Sequence, residues 1–182
     1  MPIRNYLEHT PKIAPSAYVS PESVIIGQVE ICEEASIWSM AVARGDVHRI
    51  YIGARSNIQD NATLHVTHDS KYCLGGRPLI IGEGVTVGHQ VTLHACTIED
   101  YCLIGIGAIV LDGAILKPYT LLGAGSLVPP NKVLESGYLW LGNPAKKVRA
   151  LTDEDMEYLR YSAGHYVRLS QKHKQNPITI NS

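Results

Sequence analysis

Ile98-Glu99-Asp100-Tyr101-Cys102-Leu103-Ile104-Gly105-Ile106-Gly107-Ala108-Ile109-Val110-Leu111-Asp112-Gly113-Ala114-Ile115-Leu116-Lys117-Pro118-Tyr119-Thr120-Leu121-Leu122-Gly123-Ala124-Gly125-Ser126-Leu127-Val128 repeats every six residues. Ile98, Ile104, Val110, Leu116, Leu122 and Val128 form an aliphatic column. Cys102, Ala108, Ala114, Thr120 and Ser126, four positions on in each repeat, form a column of small or β-branched side chains. A period of six fits neither a helix nor a simple amphipathic strand over this length. It is the hexapeptide signature of a parallel β-helix, in which each hexad makes a short strand and a turn. The aliphatic residue then points into the prism and the small residue fits where adjoining walls converge. A β-sandwich rarely holds one period over so many steps.

The same columns extend upstream. Ile13, Val19, Ile25, Ile31, Ile37 and Ala43 are in step, with Ala17, Ser23, Val29, Ala35, Ala41 and Val47 as their partners. The frame shifts across 44–50, resumes at Ile52, Ile58 and Leu64 with Ser56 and Ala62, and resumes again after a loop at 66–78 as Ile81, Val87 and Leu93. Glycines directly after aliphatic positions (Gly53, Gly82, Gly88, Gly105, Gly123) are expected to provide turn conformations that a Cβ opposes. Downstream, Pro129-Pro130 and Gly142-Asn143-Pro144 end the pattern. Thr152 with Asp155 resembles a capping box, and Met156, Leu159, Ala163, Tyr166 and Val167 recur at helical spacing. A helix of roughly 20 residues is expected to lie against the prism wall, since an uncovered solenoid exposes apolar surface and strand edges. The expected organisation is a β-helix domain at 1–150, a C-terminal helix at 151–175 and a frayed tail at 176–182.

The 182 residues, 45% hydrophobic, suit one domain with a real core. A formal net charge of -1, from 16 basic and 17 acidic residues scattered along the chain, points to no nucleic acid and no anionic membrane. No apolar run approaches a membrane span and the first residues lack a signal-peptide core, so a cytoplasmic protein is expected. Cys32, Cys73, Cys96 and Cys102 have no C-x-x-C spacing and read as reduced packing thiols.

Two Thr-Leu-His triplets, ending at His65 and His94, bracket a further histidine, His89. Three imidazoles suffice for a catalytic zinc, which keeps its fourth position for water and lowers that water's pKa to about 7. His65 and His94 each follow an aliphatic column residue, so they share a hexad offset and can stack on neighbouring coils. His89 lies two after Val87 and should point elsewhere. One chain would then offer two ligands, and a symmetry-related copy the third. The alternative is three surface histidines on a solenoid wall.

Arg44-Gly45-Asp46, Asn57-x-Gln59-Asp60-Asn61, Leu64-His65, Gly88-His89-x4-His94, the hexads from Gly105 to Gly125 and Leu141-Gly142-Asn143-Pro144-Ala145-Lys146 resemble the γ-class carbonic anhydrase-like family, particularly its short bacterial branch. The resemblance runs from about Ile13 to Tyr166. It implies a left-handed β-helix homotrimer with a C-terminal helix and Zn2+ between subunits. His65 and His94 would come from one chain and His89 from the next. Gln59 would hydrogen-bond the water on the metal, Arg44 and Asp46 would pair across the interface, and Asp60 would be a further interface or orienting group. Tyr166 would offer an active-site hydroxyl, against the alternative of a packing tyrosine. The chain departs from the family pattern where a glutamate would follow Arg-x-Asp: it has Val47, and its short loop offers only His68 and Asp69. Hydration of carbon dioxide releases a proton at each turnover, and the His68 imidazole is the available relay.

The expected activity is zinc-dependent hydration of carbon dioxide to bicarbonate. Acyl transfer beside a coenzyme A groove, metal-assisted thioester hydrolysis and a non-catalytic, metal-stabilised trimeric binding module are the alternatives, since one fold hosts many functions. Imidazole ligands also suit Fe2+, Co2+ or Ni2+.

Overall fold

Aliphatic side chains six residues apart meet only if the chain coils back over itself, and in the computed structural model, which describes residues 3–175, it does so for about 8 turns. The predicted tail at 176–182 lies outside the described residues. Three runs of short parallel strands form three walls. The first wall stacks the start of Val42–Ile52, Thr63–His65, Thr92–His94, Ile109–Val110 and Leu127–Val128. The second stacks the end of Val42–Ile52, Leu79–Ile81, Thr97–Ile98, Ile115–Leu116 and Val133–Leu134. The third runs from Tyr18–Val19 through Ser36–Ile37, Asn57–Ile58, Thr86–Val87, Leu103–Ile104 and Leu121–Leu122 to Tyr138–Leu141. Val24–Ile31 and Val42–Ile52 continue around the edge between the first two walls, with a register shift between Gly27 and Val29.

Both sequence columns face inward. Ile37, Leu64, Leu93, Ile98, Ile104, Val110 and Leu116 have no exposed surface, and neither have Ala35, Ala41, Ala62, Ala108 and Ala114 in the small column. Burying each large aliphatic side chain contributes about 2 kcal/mol, so the stacked columns are what hold the coils together.

The glycines that follow aliphatic positions do something other than expected. Gly88 and Gly105 are not in the left-handed region; a Cβ on Gly88 would lie 2.9 Å from Ile104 O and 3.0 Å from Ile106 N of the next coil. Glycine is needed there because the backbones of adjacent coils approach closely. The left-handed turn falls two residues later, with φ +67° at Gly107 and +59° at Gln90. The fold tolerates a side chain at such positions for about 1 kcal/mol each.

The C-terminal helix, Asp153–Gln175, begins at a reciprocal cap: Asp155 N donates to Thr152 Oγ1 (3.1 Å) and Thr152 N donates to Asp155 Oδ2 (2.8 Å). The helix covers the third wall at Tyr18–Val19, Ser36–Ile37, Asn57–Ile58 and Thr86–Val87, burying Leu159, Ser162, Ala163 and Ser170. Trp38 anchors it, with its ring 5.6 Å from that of Tyr166 and 5.1 Å from that of His173. Near its end Lys174 Nζ donates to Pro15 O (2.9 Å) and Ala17 O (3.1 Å). Among the described residues no helix is long and apolar enough to cross a membrane, and no cysteine pairs with another.

Candidate metal centre

Strand register decides which histidines meet. Thr92–His94 lies directly on Thr63–His65 with His94 opposite His65, and the two rings face each other with His65 Nδ1 3.1 Å from His94 Nε2. The other nitrogen of each ring is held by a carboxylate: His65 Nε2 donates to Asp46 Oδ1 (3.1 Å) and His94 Nδ1 donates to Asp112 Oδ2 (2.9 Å). Asp46 in turn pairs with Arg44, and Asp112 accepts from the Thr67 hydroxyl at the base of the loop. Burial alone would raise both carboxyls. The donors outweigh it: Arg44 and His65 hold Asp46, and Thr67 and His94 hold Asp112, below the usual carboxylate range. Burial lowers the pKa of His65 and so favours the neutral imidazole, although Asp46 acts in the opposite direction.

These contacts fix the tautomers. With His65 Nε2–H and His94 Nδ1–H both given to ionised aspartates, His65 Nδ1 and His94 Nε2 present lone pairs to each other. Two lone pairs at that distance repel unless a proton or a cation lies between them. Two nitrogens on one tetrahedral zinc stand roughly 3.3 Å apart, close to the separation found here. The donor set therefore fits the metal, two ligands of it.

His89 lies at the opposite edge of the same wall. It sits in the turn between Thr86–Val87 and Thr92–His94, and its Nδ1 lies 2.9 Å from Asp60 Oδ2 while its side chain is 43% exposed. Among the described residues no three His, Cys, Asp or Glu side chains of the one chain converge to hold a metal. The chain thus carries two half-sites: His65 and His94 with Asp46 and Asp112 at one edge, His89 with Asp60 at the other.

The remaining candidates divide between these edges. Within the one chain Arg44 and Asp46 already lie against each other, because residues two apart on Val42–Ile52 project from the same side. His68 is exposed on the loop at 66–78, which is closed by paired hydrogen bonds between Thr67 and Arg77 and by Gly75 N donating to Asp69 Oδ1 (2.7 Å). Gln59 is buried near the helix-covered wall, its Nε2 donating to Asn57 Oδ1 (3.1 Å). Tyr166 packs edge-on against Trp38; burial, followed by the charge of Asp60, raises its hydroxyl above the ordinary tyrosine value. Sequence reading missed Asp112 and Thr67. The signal was faint: Asp112 occupies the same turn on the coil after His94, visible only once the register is counted.

A hexapeptide-repeat β-helix with carboxylate-held imidazoles at a wall edge is the class of protein that fold and site define. No family model matches the chain. It is 52% identical over 166 residues to Protein YrdA of Escherichia coli, covering 91% of this chain and 90% of that one. It is 46% identical over 169 residues to a carbonic anhydrase of Geobacillus kaustophilus, covering 93% and 89% respectively. The solved structure of a putative acetyltransferase from Bacillus cereus superposes with a TM-score of 0.88 at 44% identity, over 95% of this chain and 96% of that one. Curated relatives at 40–46% identity carry the names carbonic anhydrase or gamma carbonic anhydrase. The chain belongs to the γ-class carbonic anhydrase-like family of hexapeptide-repeat proteins.

Proposed function

We propose that this chain hydrates carbon dioxide to bicarbonate with Zn2+ held between the subunits of a homotrimer. One observation carries the reading: His65, His89 and His94 each have one ring nitrogen beside an aspartate, Asp46, Asp60 and Asp112 respectively, which leaves the other nitrogen of each ring to ligate. Zinc bound by those nitrogens supplies a Lewis acid and a nucleophilic water near neutral pH. The aspartates hold the tautomers and the ring orientations. Gln59 orients the attacking water, and His68 on the exposed loop passes its proton to buffer. Because the two half-sites lie at opposite edges of one wall, cyclic symmetry about that wall joins the His89 edge of one copy to the His65–His94 edge of the next. Met40, Ile106 and Ile109, 60%, 54% and 36% exposed on that wall and its edge, give the contact apolar surface.

The test is stopped-flow hydration of carbon dioxide on metal-quantified protein, in high and low buffer, beside His89→Ala and His68→Ala. The expected outcome is a zinc-dependent rate, lost with the metal in His89→Ala, and lowered by His68→Ala in low buffer only. One metal per subunit with no rate above background would overturn the anhydrase reading and direct the search to thioester hydrolysis, acyl transfer or a binding role. A His68→Ala rate unchanged in low buffer would remove His68 as the relay.

A further inference from the structure

A cavity of about 600 Å3 opens on the second wall. Its volume falls within the roughly 300–1,000 Å3 of small-molecule sites. The floor follows from strand register. Lys12, Glu30, Tyr51 and Ile80 are neighbours across successive strands, and each precedes a core-facing residue, so all of them project outward. Arg49, two before Tyr51 on Val42–Ile52, projects from the same side. The N-terminal segment closes one side: Tyr6 and His9 exchange backbone N–H···O bonds of 3.0 Å, and the chain then runs through Thr10 and Pro11 into Lys12. None of the lining side chains belongs to either half-site of the metal centre. The contact proposed between copies uses the first wall, not this one.

Elsewhere on the coils cations meet acids of a neighbouring coil, as Arg55 meets Glu83 and Lys117 meets Glu99 (2.7 Å). In the cavity they do not. Lys12, Glu30 and Arg49 have no ion-pair partner among the described residues, although Lys12 and Glu30 are register neighbours. Those two still offset each other's field across one strand spacing. Arg49 has no such neighbour. Val29 and Leu79 flank Ile50, so the residues before them, Gln28 and Pro78, lie beside Arg49, and neither is charged. The other carboxylate of the lining, Glu8, is 77% exposed and lies 3.5 Å from His9. The cavity therefore joins an uncompensated guanidinium to the half-buried surface of Tyr51 and Ile80. A guanidinium presents paired donors that match the two oxygens of a carboxylate.

We propose that this cavity binds an organic monocarboxylate, with the carboxylate on the Arg49 guanidinium and an aliphatic or aromatic body against Tyr51, Ile80 and Pro11. The two halves of such a ligand match the two halves of the lining. The carboxylate supplies the counter-charge that Arg49 lacks, and the body removes the apolar surface of Tyr51 and Ile80 from water. An ammonium in the same place would face Arg49 with like charge. A neutral amide would forgo the charge-assisted bonds.

The experiment titrates the full-length protein with phenylbutyrate, phenylbutyramide and phenylbutylamine, followed by calorimetry and by NMR of the isoleucine methyl groups. Phenylbutyrate should bind saturably with a Kd below about 1 mM and shift the Ile80 methyl signals, while those of Ile104, buried under the third wall, stay in place. The amide and the amine should bind at least about tenfold more weakly. Arg49 is exposed, so Arg49→Gln should fold normally, and it should weaken phenylbutyrate by about tenfold. Arg49→Lys should restore only part of the affinity, because an ammonium has no fork. A carboxylate can also ligate a metal, so the titration is repeated on His89→Ala, where the affinity should be unchanged. The proposal is overturned by the absence of saturable phenylbutyrate binding, by equal affinity for the amide, by unchanged affinity in Arg49→Gln, or by loss of binding in His89→Ala.

Discussion

The coils from 98 to 134 and the coils from 42 to 96 share one core and differ in outline. In the later coils each inward residue pairs with its counterpart three hexads on, Ile98 with Leu116 and Leu116 with Leu134. The earlier coils depart from that spacing in three places: the shift within Val42–Ile52, the loop at 66–78, and the tight turn at Ala95, where φ is +47°. All three leave the first wall at the same edge and rejoin the second wall in register, at Tyr51, Ile80 and Thr97. A solenoid constrains the side chains it stacks inside and leaves chain length free at its corners. Here the freedom is concentrated at one corner, beside His65 and His94, where the protruding segments bring Asp46 to His65 and Thr67 to Asp112, the carboxylate that holds His94.

That contrast can be broken by substitution. Ile104→Ala, in the regular coils and fully buried, should lower the unfolding free energy by about 3 kcal/mol in denaturant titration. Leu74→Ala, 88% exposed on the loop, should change it by under about 0.5 kcal/mol. Equal effects would mean that the loop is part of the cooperative core. Asp112→Asn should sharpen the comparison from the other side, since Asp112 sits in a regular coil but serves the corner. It should leave the fold intact and weaken zinc binding by about 10–100-fold in chelator competition, because His94 loses the carboxylate that holds its tautomer. An unchanged affinity would sink that assignment.

The smallest effect is expected at the helix start. Arg149, followed by the Thr152 backbone N–H, holds the Asp155 carboxyl well below the usual range. A depressed folded pKa gives stability that is complete above the unfolded value, about pH 4, and lost as pH falls toward the folded one. Thermal midpoints should therefore fall more steeply with acid below about pH 4 in the wild type than in Asp155→Asn, with the two curves parallel above it. The group is on the surface, so the difference will be small.

The hexads were legible because a six-residue period is a local property: Ile98 and Ile104 are both inward whatever lies around them. The helix start was legible for the same reason, Thr152 and Asp155 being one turn apart. The role of the glycines was not. Gly88 looks like a turn residue in sequence, and only the position of Ile104 on the next coil shows that its missing Cβ makes room for a backbone. The contact of Arg44 with Asp46 follows from a shared side of one strand, Val42–Ile52, which the broken hexads of 44–50 do not reveal in sequence.

By itself, the sequence determined the solenoid, the capping helix and the separation of His89 from His65 and His94, since periodicity and hexad offset are written in the order of residues. Only the tertiary structure decided which aspartate lies against which histidine. Those contacts join residues 18 to 29 positions apart, and coil stacking, not chain order, makes them neighbours.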